Sequence, residues 1–323
     1  MDNRKMKSSL KTMTIEDRKR YFKDYFIAHP HIVHATNELF NYIMQSDTDG
    51  YPAMIFIVGP SGVGKTTMIK KVSNEFWRYA TENLGYNNSC IPIVVVEPKA
   101  SEGGNFDWRD YYHRTLMELN EPLISQKIDY KLLESNDQNR RININQRSTK
   151  ADLRFALENA FKYRKVLVNI IDEAQHLTML SSGRKLSTQM EVLKSLSNKS
   201  GVMHILVGTY DLLTLLNMNG QLSRRAQVIH LARYDITVKE DKKDFIAVLN
   251  QFQQRLPFPD IPDLVKDWDY FYERSIGCIG ILKDWIKITT DNVLDKKAKS
   301  ITRKDFEKYA LSVTQCTKML GDA

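Results

Sequence analysis

The residues best suited to do chemistry lie in a glycine-rich segment, GPSGVGKT, at positions 59 to 66. This segment follows the apolar run 54–58 and precedes a helical pattern of apolar residues, so it joins a strand to a helix. Glycines at such a junction let successive backbone N–H groups face an anion, and the helix N-terminus adds its dipole. The pattern is typical of a phosphate-binding loop. The candidate nucleotide-binding residues are Gly59, Pro60, Ser61, Gly62, Val63, Gly64, Lys65, Thr66 and Thr67.

Two side chains of this loop have the chemistry to hold a triphosphate together with its metal ion. The ammonium group of Lys65 can reach the β- and γ-phosphates, and the hydroxyl of Thr66 can ligate Mg²⁺. The predicted cofactors are therefore ATP and Mg²⁺.

An acidic pair, Asp172 and Glu173, follows the apolar run 166–171. Ligands of open α/β sheets bind at the carboxyl ends of strands, where this pair would lie. We expect Asp172 to hold the metal ion and Glu173 to polarise an attacking water molecule. A simple helix cap is the alternative use of such a pair. Because a kinase needs no water-activating carboxylate, the pair favours hydrolysis over phosphoryl transfer to a metabolite.

Further candidates lie near the ends of two other predicted strands. Thr209 follows the run 204–207, where a polar side chain could touch the γ-phosphate or its water; a strand-ending turn is the alternative. Arg224 and Arg225 precede the run 228–231. If subunits assemble head to tail, one arginine could stabilise transition-state charge at a neighbour's γ-phosphate. Solvated surface arginines are the alternative.

These residues require a sheet that presents several strand ends at one edge. Short apolar runs alternate with amphipathic stretches, and they predict strands at 54–58, 91–96, 166–171, 204–207 and 228–231. The runs are continuously apolar, as a sheet covered on both faces requires, so we expect a parallel, three-layer α/β domain. After residue 234 only helical patterns remain. The predicted organisation is a basic N-terminal arm and helix (1–45), an α/β base (46–235), and a helical lid with C-terminal helices (236–323).

The composition limits the class of protein. The 323 residues are 42% hydrophobic and 27% charged, which argues against fibrous, low-complexity and membrane proteins. A net charge of +8 favours phosphate-rich partners without establishing one. The three cysteines are far apart in sequence and form no C-x-x-C pair, which favours a reducing cytoplasm. Neither an export signal nor an apolar run of about 20 residues is present, so we expect a cytoplasmic protein with no membrane partner.

Together, these motifs resemble those of the AAA+ ATPases, and among them the TnsC/TniB family of transposon-encoded target-selection regulators. The IstB helicase-loader-like proteins are more distant relatives. The resemblance spans roughly residues 30 to 290, and it is carried by GPSGVGKT at 59–66, IIDEAQHL at 170–177, VGT at 207–209, QLSRR at 221–225 and SIGCIGIL at 275–282. It implies a P-loop AAA+ domain with a small helical lid and partner-stimulated ATP hydrolysis, and the missing sensor-2 arginine described below favours slow turnover. By position, Arg225 is the arginine finger, with Arg224 as the fallback, and Thr209 is sensor 1.

The resemblance also implies partners. Members of this family form a ring or helical filament on duplex DNA with ATP, and they link a target-selecting protein to the transposase in a bacterial cytoplasm. The segment 138–165 carries eight basic residues against two acidic ones, and Lys99 follows the second predicted strand. We expect Lys99, Arg147 and Lys150 to contact DNA phosphates without reading bases. A solvated helix face is the alternative.

One motif departs from the family pattern. Many AAA+ lids carry a sensor-2 arginine in a G-x-x-R turn, but the matching turn here reads GCIG at 277–280. Lys283, one helical turn further on, could substitute, or the contact could be absent. Two other functions stay open: a helicase loader or replication initiator of related fold, and a signalling switch whose nucleotide controls protein contacts without DNA. A small-molecule kinase is the least favoured.

Overall fold

A computed structural model of the chain describes residues 12–45, 54–100, 106–127, 148–179, 183–217 and 226–321. The chain divides into two compact units. The sheet unit comprises the described residues of 35–58 and 65–230, and the helical unit comprises those of 1–34, 59–64 and 231–323. By its contacts, the glycine-rich loop 59–64 belongs to the helical unit.

The sheet unit contains a five-stranded parallel sheet with the strand order β2-β3-β4-β1-β5. Its strands are β1 (Met54–Val58), β2 (Ile93–Val96), β3 (Val168–Ile171), β4 (Met203–Gly208) and β5 (Ala226–His230). The three central strands, β3, β4 and β1, are followed by the acidic pair, by Thr209 and by the glycine-rich segment, respectively. Because the strands are parallel, their carboxyl ends meet at one edge of the sheet. The predicted parallel α/β fold is confirmed.

The helices are numbered along the chain. They are α1 (Ile15–Lys23), α2 (Pro30–Met44), α3 (Lys65–Asn83), α4 (Trp108–Glu118), α5 (Lys150–Tyr163), α6 (Gly183–Ser200), α7 (Leu213–Asn217), α8 (Lys239–Arg255), α9 (Trp268–Ser275), α10 (Ile279–Asp295), α11 (Arg303–Glu307) and α12 (Val313–Gly321). Short 3₁₀ turns lie at Ile124–Gln126, Ala174–Thr178, Tyr210–Leu212 and Val265–Asp267. None of these described helices combines the length and the apolar character that a membrane span needs.

The core of the sheet unit includes two adjacent tyrosines. Tyr111 and Tyr112 of α4 are fully buried. Asn169, in the middle of β3, donates a hydrogen bond from Nδ2 to the Tyr111 hydroxyl oxygen at 2.6 Å. Burial raises the pKa of Tyr112 to about 12. Both side chains are therefore packing residues.

The strand β5 differs from the continuously buried pattern that was expected. Val228 is 42% exposed, and Gln227 and His230 are exposed as well. The reason is its position, because β5 pairs with β1 alone and forms one edge of the sheet.

The helical unit packs α1 against α10, and α1 lies in the segment predicted as a basic N-terminal arm and helix. A capping box of Thr14 and Asp17 starts α1, and Phe22 is buried at 1% exposure among the apolar side chains of the unit. The segment is only nine residues long and mostly charged, so its low overall hydrophobicity hides the apolar face that the helix buries. The basic N-terminal segment thus contributes to a core.

Candidate functional site

The predicted metal ligands Thr66 and Asp172 are in direct contact. Thr66 is the second residue of α3, and its hydroxyl donates to Asp172 Oδ2 at 2.8 Å. Asp172 is 4% exposed, and its backbone N–H donates to the carbonyl oxygen of Val96 in β2, which fixes the end of β3. Hydroxyl and carboxylate oxygens are ligands that Mg²⁺ accepts, together with phosphate oxygens. The pair therefore fits the expected metal ion.

The metal ion would depend on the nucleotide for further ligands. Among the residues that the structure describes, no group of three or more His, Cys, Asp or Glu side chains could hold a metal ion. Mg²⁺ at phosphate-transfer sites is bound by one or two protein side chains plus substrate phosphates, so such a group is not required. Lys65, the first residue of α3, is 7% exposed at the helix N-terminus, where backbone N–H groups favour anions.

Glu173 turns the chain out of β3 in a left-handed conformation. Its φ angle is +50°, which is uncommon for a residue with a side chain and often marks functional sites. The backbone N–H of Glu173 donates to Asp172 Oδ1 at 3.0 Å, so the Asp172 carboxylate is held against the next peptide group. The Glu173 carboxylate accepts a hydrogen bond from the side-chain amide of Gln175.

Gln175 also contacts the end of β4. Its Oε1 atom accepts from the backbone N–H of Thr209 at 3.4 Å. The Thr209 hydroxyl donates to Asp211 Oδ2 at 3.0 Å, so this candidate phosphate sensor makes a local contact in the turn after β4. No role for Gln175 was predicted from the sequence, where its place in the segment IIDEAQHL was the only indication of one.

The turn that lacks the sensor-2 arginine touches the glycine-rich loop. The backbone N–H of Ile281 donates to the carbonyl oxygen of Gly62 at 3.1 Å. A Cβ atom at Gly280 would lie 2.3 Å from that same oxygen. No side chain fits there, which gives a steric reason for glycine at the arginine position. Lys283, the predicted substitute, is half-buried on α10, and burial lowers the pKa of its ammonium group.

Two of the three candidate DNA contacts can be placed. Lys99 and Lys150 are exposed, and Lys150 opens α5 behind a capping box made by Thr149 and Asp152. Arg147, Arg224 and Arg225 lie outside the described residues.

Two other basic residues of the segment 138–165 are engaged in ion pairs. Arg154 Nε lies 2.9 Å from Glu158 Oε1, and Arg164 Nε lies 3.4 Å from Glu121 Oε1. Their charge is partly neutralised, so the basic character of the segment is smaller than its composition indicates.

A parallel sheet with a glycine-rich GKT loop after one central strand and an acidic pair after another defines a P-loop nucleotide-binding protein. The family model described as "AAA domain" matches residues 48–216, more than half of the chain. The chain therefore belongs to the AAA domain family. No curated protein matches the sequence at a significant level.

Solved structures of ORC and Cdc6 proteins share the fold. The Aeropyrum pernix ORC2 protein with ADPNP and ADP has a TM-score of 0.56 at 15% sequence identity, covering 92% of this chain and 71% of that one. The Aeropyrum pernix ORC1 protein in complex with DNA has a TM-score of 0.58 at 13% identity, covering 90% and 68%. Cdc6p from Pyrobaculum aerophilum has a TM-score of 0.56 at 14% identity, covering 90% and 70%. At these identities the likeness is one of fold.

Proposed function

We propose that this protein is an AAA+ ATPase of the replication-initiator or helicase-loader type, which binds ATP with Mg²⁺ and assembles with other copies on DNA. The observation that carries the proposal is the contact between Thr66 and Asp172, with Glu173 adjacent, at the carboxyl edge of a parallel sheet in an AAA-family chain. The likeness to ORC and Cdc6 structures, one of them solved with DNA, supports this type over the others.

The residues divide the chemistry of hydrolysis among them. The loop backbone and Lys65 would bind the phosphates, and Thr66 and Asp172 would hold Mg²⁺, which would supply positive charge next to the phosphates. Glu173 polarises the water that attacks the γ-phosphorus, and the bond to the β–γ bridging oxygen breaks to give ADP and phosphate. Arg225, or Arg224 in its place, acts from a neighbouring copy. Contacts to the γ-phosphate from two copies would be lost on hydrolysis, so ATP would stabilise the assembly.

DNA binding in this proposal is electrostatic. The net charge of +8 and the exposed side chains of Lys99 and Lys150 support contacts to the phosphate backbone. Arg147 completes the proposed set.

A second candidate function is regulation of DNA transposition, with the protein linking a target selector to a transposase on duplex DNA. The segments IIDEAQHL at 170–177 and SIGCIGIL at 275–282, which resemble those of TnsC/TniB proteins, favour it. Fluorescence anisotropy with ATP tests whether the protein is of the helicase-loader type. Strong preference for single-stranded DNA would favour the loader, whereas strong preference for duplex DNA would leave an initiator or a transposition regulator.

The test of the proposal is the variant Glu173→Gln, which keeps the size of the side chain and removes the water-polarising charge. We expect it to bind ATP without turning it over and to form oligomers that stay on DNA, as measured by analytical ultracentrifugation and electron microscopy. Lys65→Ala, which removes a phosphate contact, is the control that should lose ATP-dependent assembly. A Glu173→Gln variant that remains monomeric with saturating ATP and DNA would contradict the proposal.

A further inference from the structure

Gln175 bridges the ends of two neighbouring strands. It lies in the 3₁₀ turn Ala174–Thr178 after β3, and its Nε2 group donates to Glu173 Oε2 while its Oε1 atom accepts from the Thr209 N–H. The partners fix which way the amide points, because an ionised carboxylate can only accept and a backbone N–H can only donate. One side chain therefore connects Glu173, two residues beyond the end of β3, with Thr209, the residue that follows β4.

The surroundings hold this amide in place. A Cβ atom at Gly208 would lie 2.3 Å from Gln175 Oε1 and 3.2 Å from the Gln175 backbone nitrogen, so the glycine leaves the space that the glutamine fills. The hydroxyl of Thr178 donates to the carbonyl oxygen of Gln175 at 2.8 Å. Ala174 and Leu177, in the same turn, are fully buried and anchor it to the core.

Glu173 needs such a support. Its backbone is in the left-handed region, and its side chain is partly exposed. Within the described part of the chain, the contact that orients its carboxylate is the hydrogen bond from Gln175. A group that polarises water must lie within hydrogen-bond reach of it, and a misplacement of about 1 Å can lower a rate on the order of 100-fold.

We infer that Gln175 is a positioning residue for ATP hydrolysis, whose amide aligns the Glu173 carboxylate with respect to the end of β4. The inference rests on the proposed function, because it takes Glu173 as the water-polarising group. Gln175 acts through Glu173 and is not itself a catalytic residue. Since its second hydrogen bond goes to the Thr209 backbone, the orientation of the carboxylate is tied to the place where the γ-phosphate is expected.

Two variants separate the two hydrogen bonds. Gln175→Glu keeps an acceptor for the Thr209 N–H but replaces the donor to Glu173 by a second carboxylate, and Gln175→Ala removes both bonds. We expect each to lower kcat for ATP hydrolysis in the presence of DNA on the order of 10-fold or more, with KM for ATP and the Kd of a fluorescent ATP analogue little changed. Gln254→Ala, on the exposed face of α8, is the matched control and should leave kcat unchanged.

A double variant tells a positioning role from a structural one. If Gln175 acts through Glu173, Gln175→Ala placed in a Glu173→Gln background lowers the residual rate no further. A further loss there, or a kcat in both Gln175 variants equal to that of the wild type, would overturn the inference and leave the proposed function standing. A wild-type protein that hydrolyses no ATP with either form of DNA would remove the proposed function itself.

Discussion

His204 is a buried titratable residue whose partners make its pH behaviour predictable. It lies in β4 with no exposed surface, and burial lowers its pKa to about 4. Its Nδ1 atom lies 3.1 Å from the carbonyl oxygen of Val202, a geometry that suits a neutral imidazole donating to that oxygen. In the unfolded chain the same side chain takes up a proton below about pH 6.5.

This difference makes stability depend on pH. Below pH 6.5 the unfolded state binds more protons than the native state, so the free energy of unfolding falls as the pH decreases toward 4. We expect His204→Phe to reduce the loss of stability between pH 7 and pH 5 by about 1 to 2 kcal/mol, measured by urea unfolding at both values. The phenyl ring can keep the edge contact with Phe161, and Ser197 still donates to the Val202 carbonyl oxygen.

An equal loss of stability in the variant and the wild type would contradict this assignment. Some pH dependence should remain in the variant, because burial also lowers the pKa of His29 to about 4.

At the residue scale, the sequence predicted the contact between Thr66 and Asp172 but not the role of Gln175. The spacing of the GKT loop and the acidic pair predicted that Thr66 and Asp172 share one site, and the structure places their side chains 2.8 Å apart. Gln175 could not be singled out, because its role depends on Thr209, which is 34 residues away in sequence. Hydrogen bonds between strand ends depend on register, which local patterns do not encode.

At the scale of elements, the predicted strands agree with the structure to within about two residues, because each one is a continuous apolar run between amphipathic stretches. Gly280, the second residue of α10, could be recognised from the sequence as the place of a missing arginine, but the reason for the glycine could not. The cause is the approach of the Gly62 carbonyl oxygen, which comes from a segment more than 200 residues earlier. Such an approach depends on tertiary packing.

The Gly280 contact leads to a prediction about this turn. Alanine in a helix is favoured over glycine by about 1 kcal/mol, but at Gly280 its Cβ atom would clash with a backbone oxygen that no rotamer change can relieve. We expect Gly280→Ala to destabilise the protein by about 1 to 3 kcal/mol and to weaken ATP binding, because the loop must shift. Thermal unfolding and an ATP-binding titration measure both effects.

The matched control is Gly321→Ala at the end of α12, where a Cβ atom would meet nothing within 4 Å. It should leave stability the same or slightly higher. If Gly280→Ala behaves like this control, the close approach of the Gly62 carbonyl oxygen to Gly280 does not affect stability.

At the scale of the whole molecule, the positive charge at a DNA-binding surface differs from the net charge counted from the sequence. Arg164 pairs with Glu121, and Arg154 bonds both Glu158 and the hydroxyl of Ser195, 41 residues away. The net charge of +8 already counts these glutamates, and it does not show at which surface the excess positive charge lies. Packing decides which basic residues stay exposed. Composition alone could therefore predict a phosphate-rich partner but not the surface along which that partner binds.

Lys150 and Lys162 on α5 offer a comparison that tests this path. Both are exposed and carry the same charge, and twelve residues of helix separate them by about 18 Å. Each phosphate contact contributes close to one unit to the slope of log K against log salt. If Lys150 contacts a phosphate, Lys150→Ala lowers that slope by about 1, whereas Lys162→Ala leaves it close to the wild-type value.

The measurement is fluorescence anisotropy of a labelled duplex with saturating ATP, repeated from about 50 mM to about 200 mM salt. Because both variants remove one positive charge, a general effect of net charge would change the two slopes equally. That outcome would mean that DNA contacts another part of the protein. A wild-type slope near zero would instead favour a nucleotide-dependent switch that acts on proteins alone. A reduction confined to Lys150→Ala would place the phosphate backbone at the N-terminus of α5.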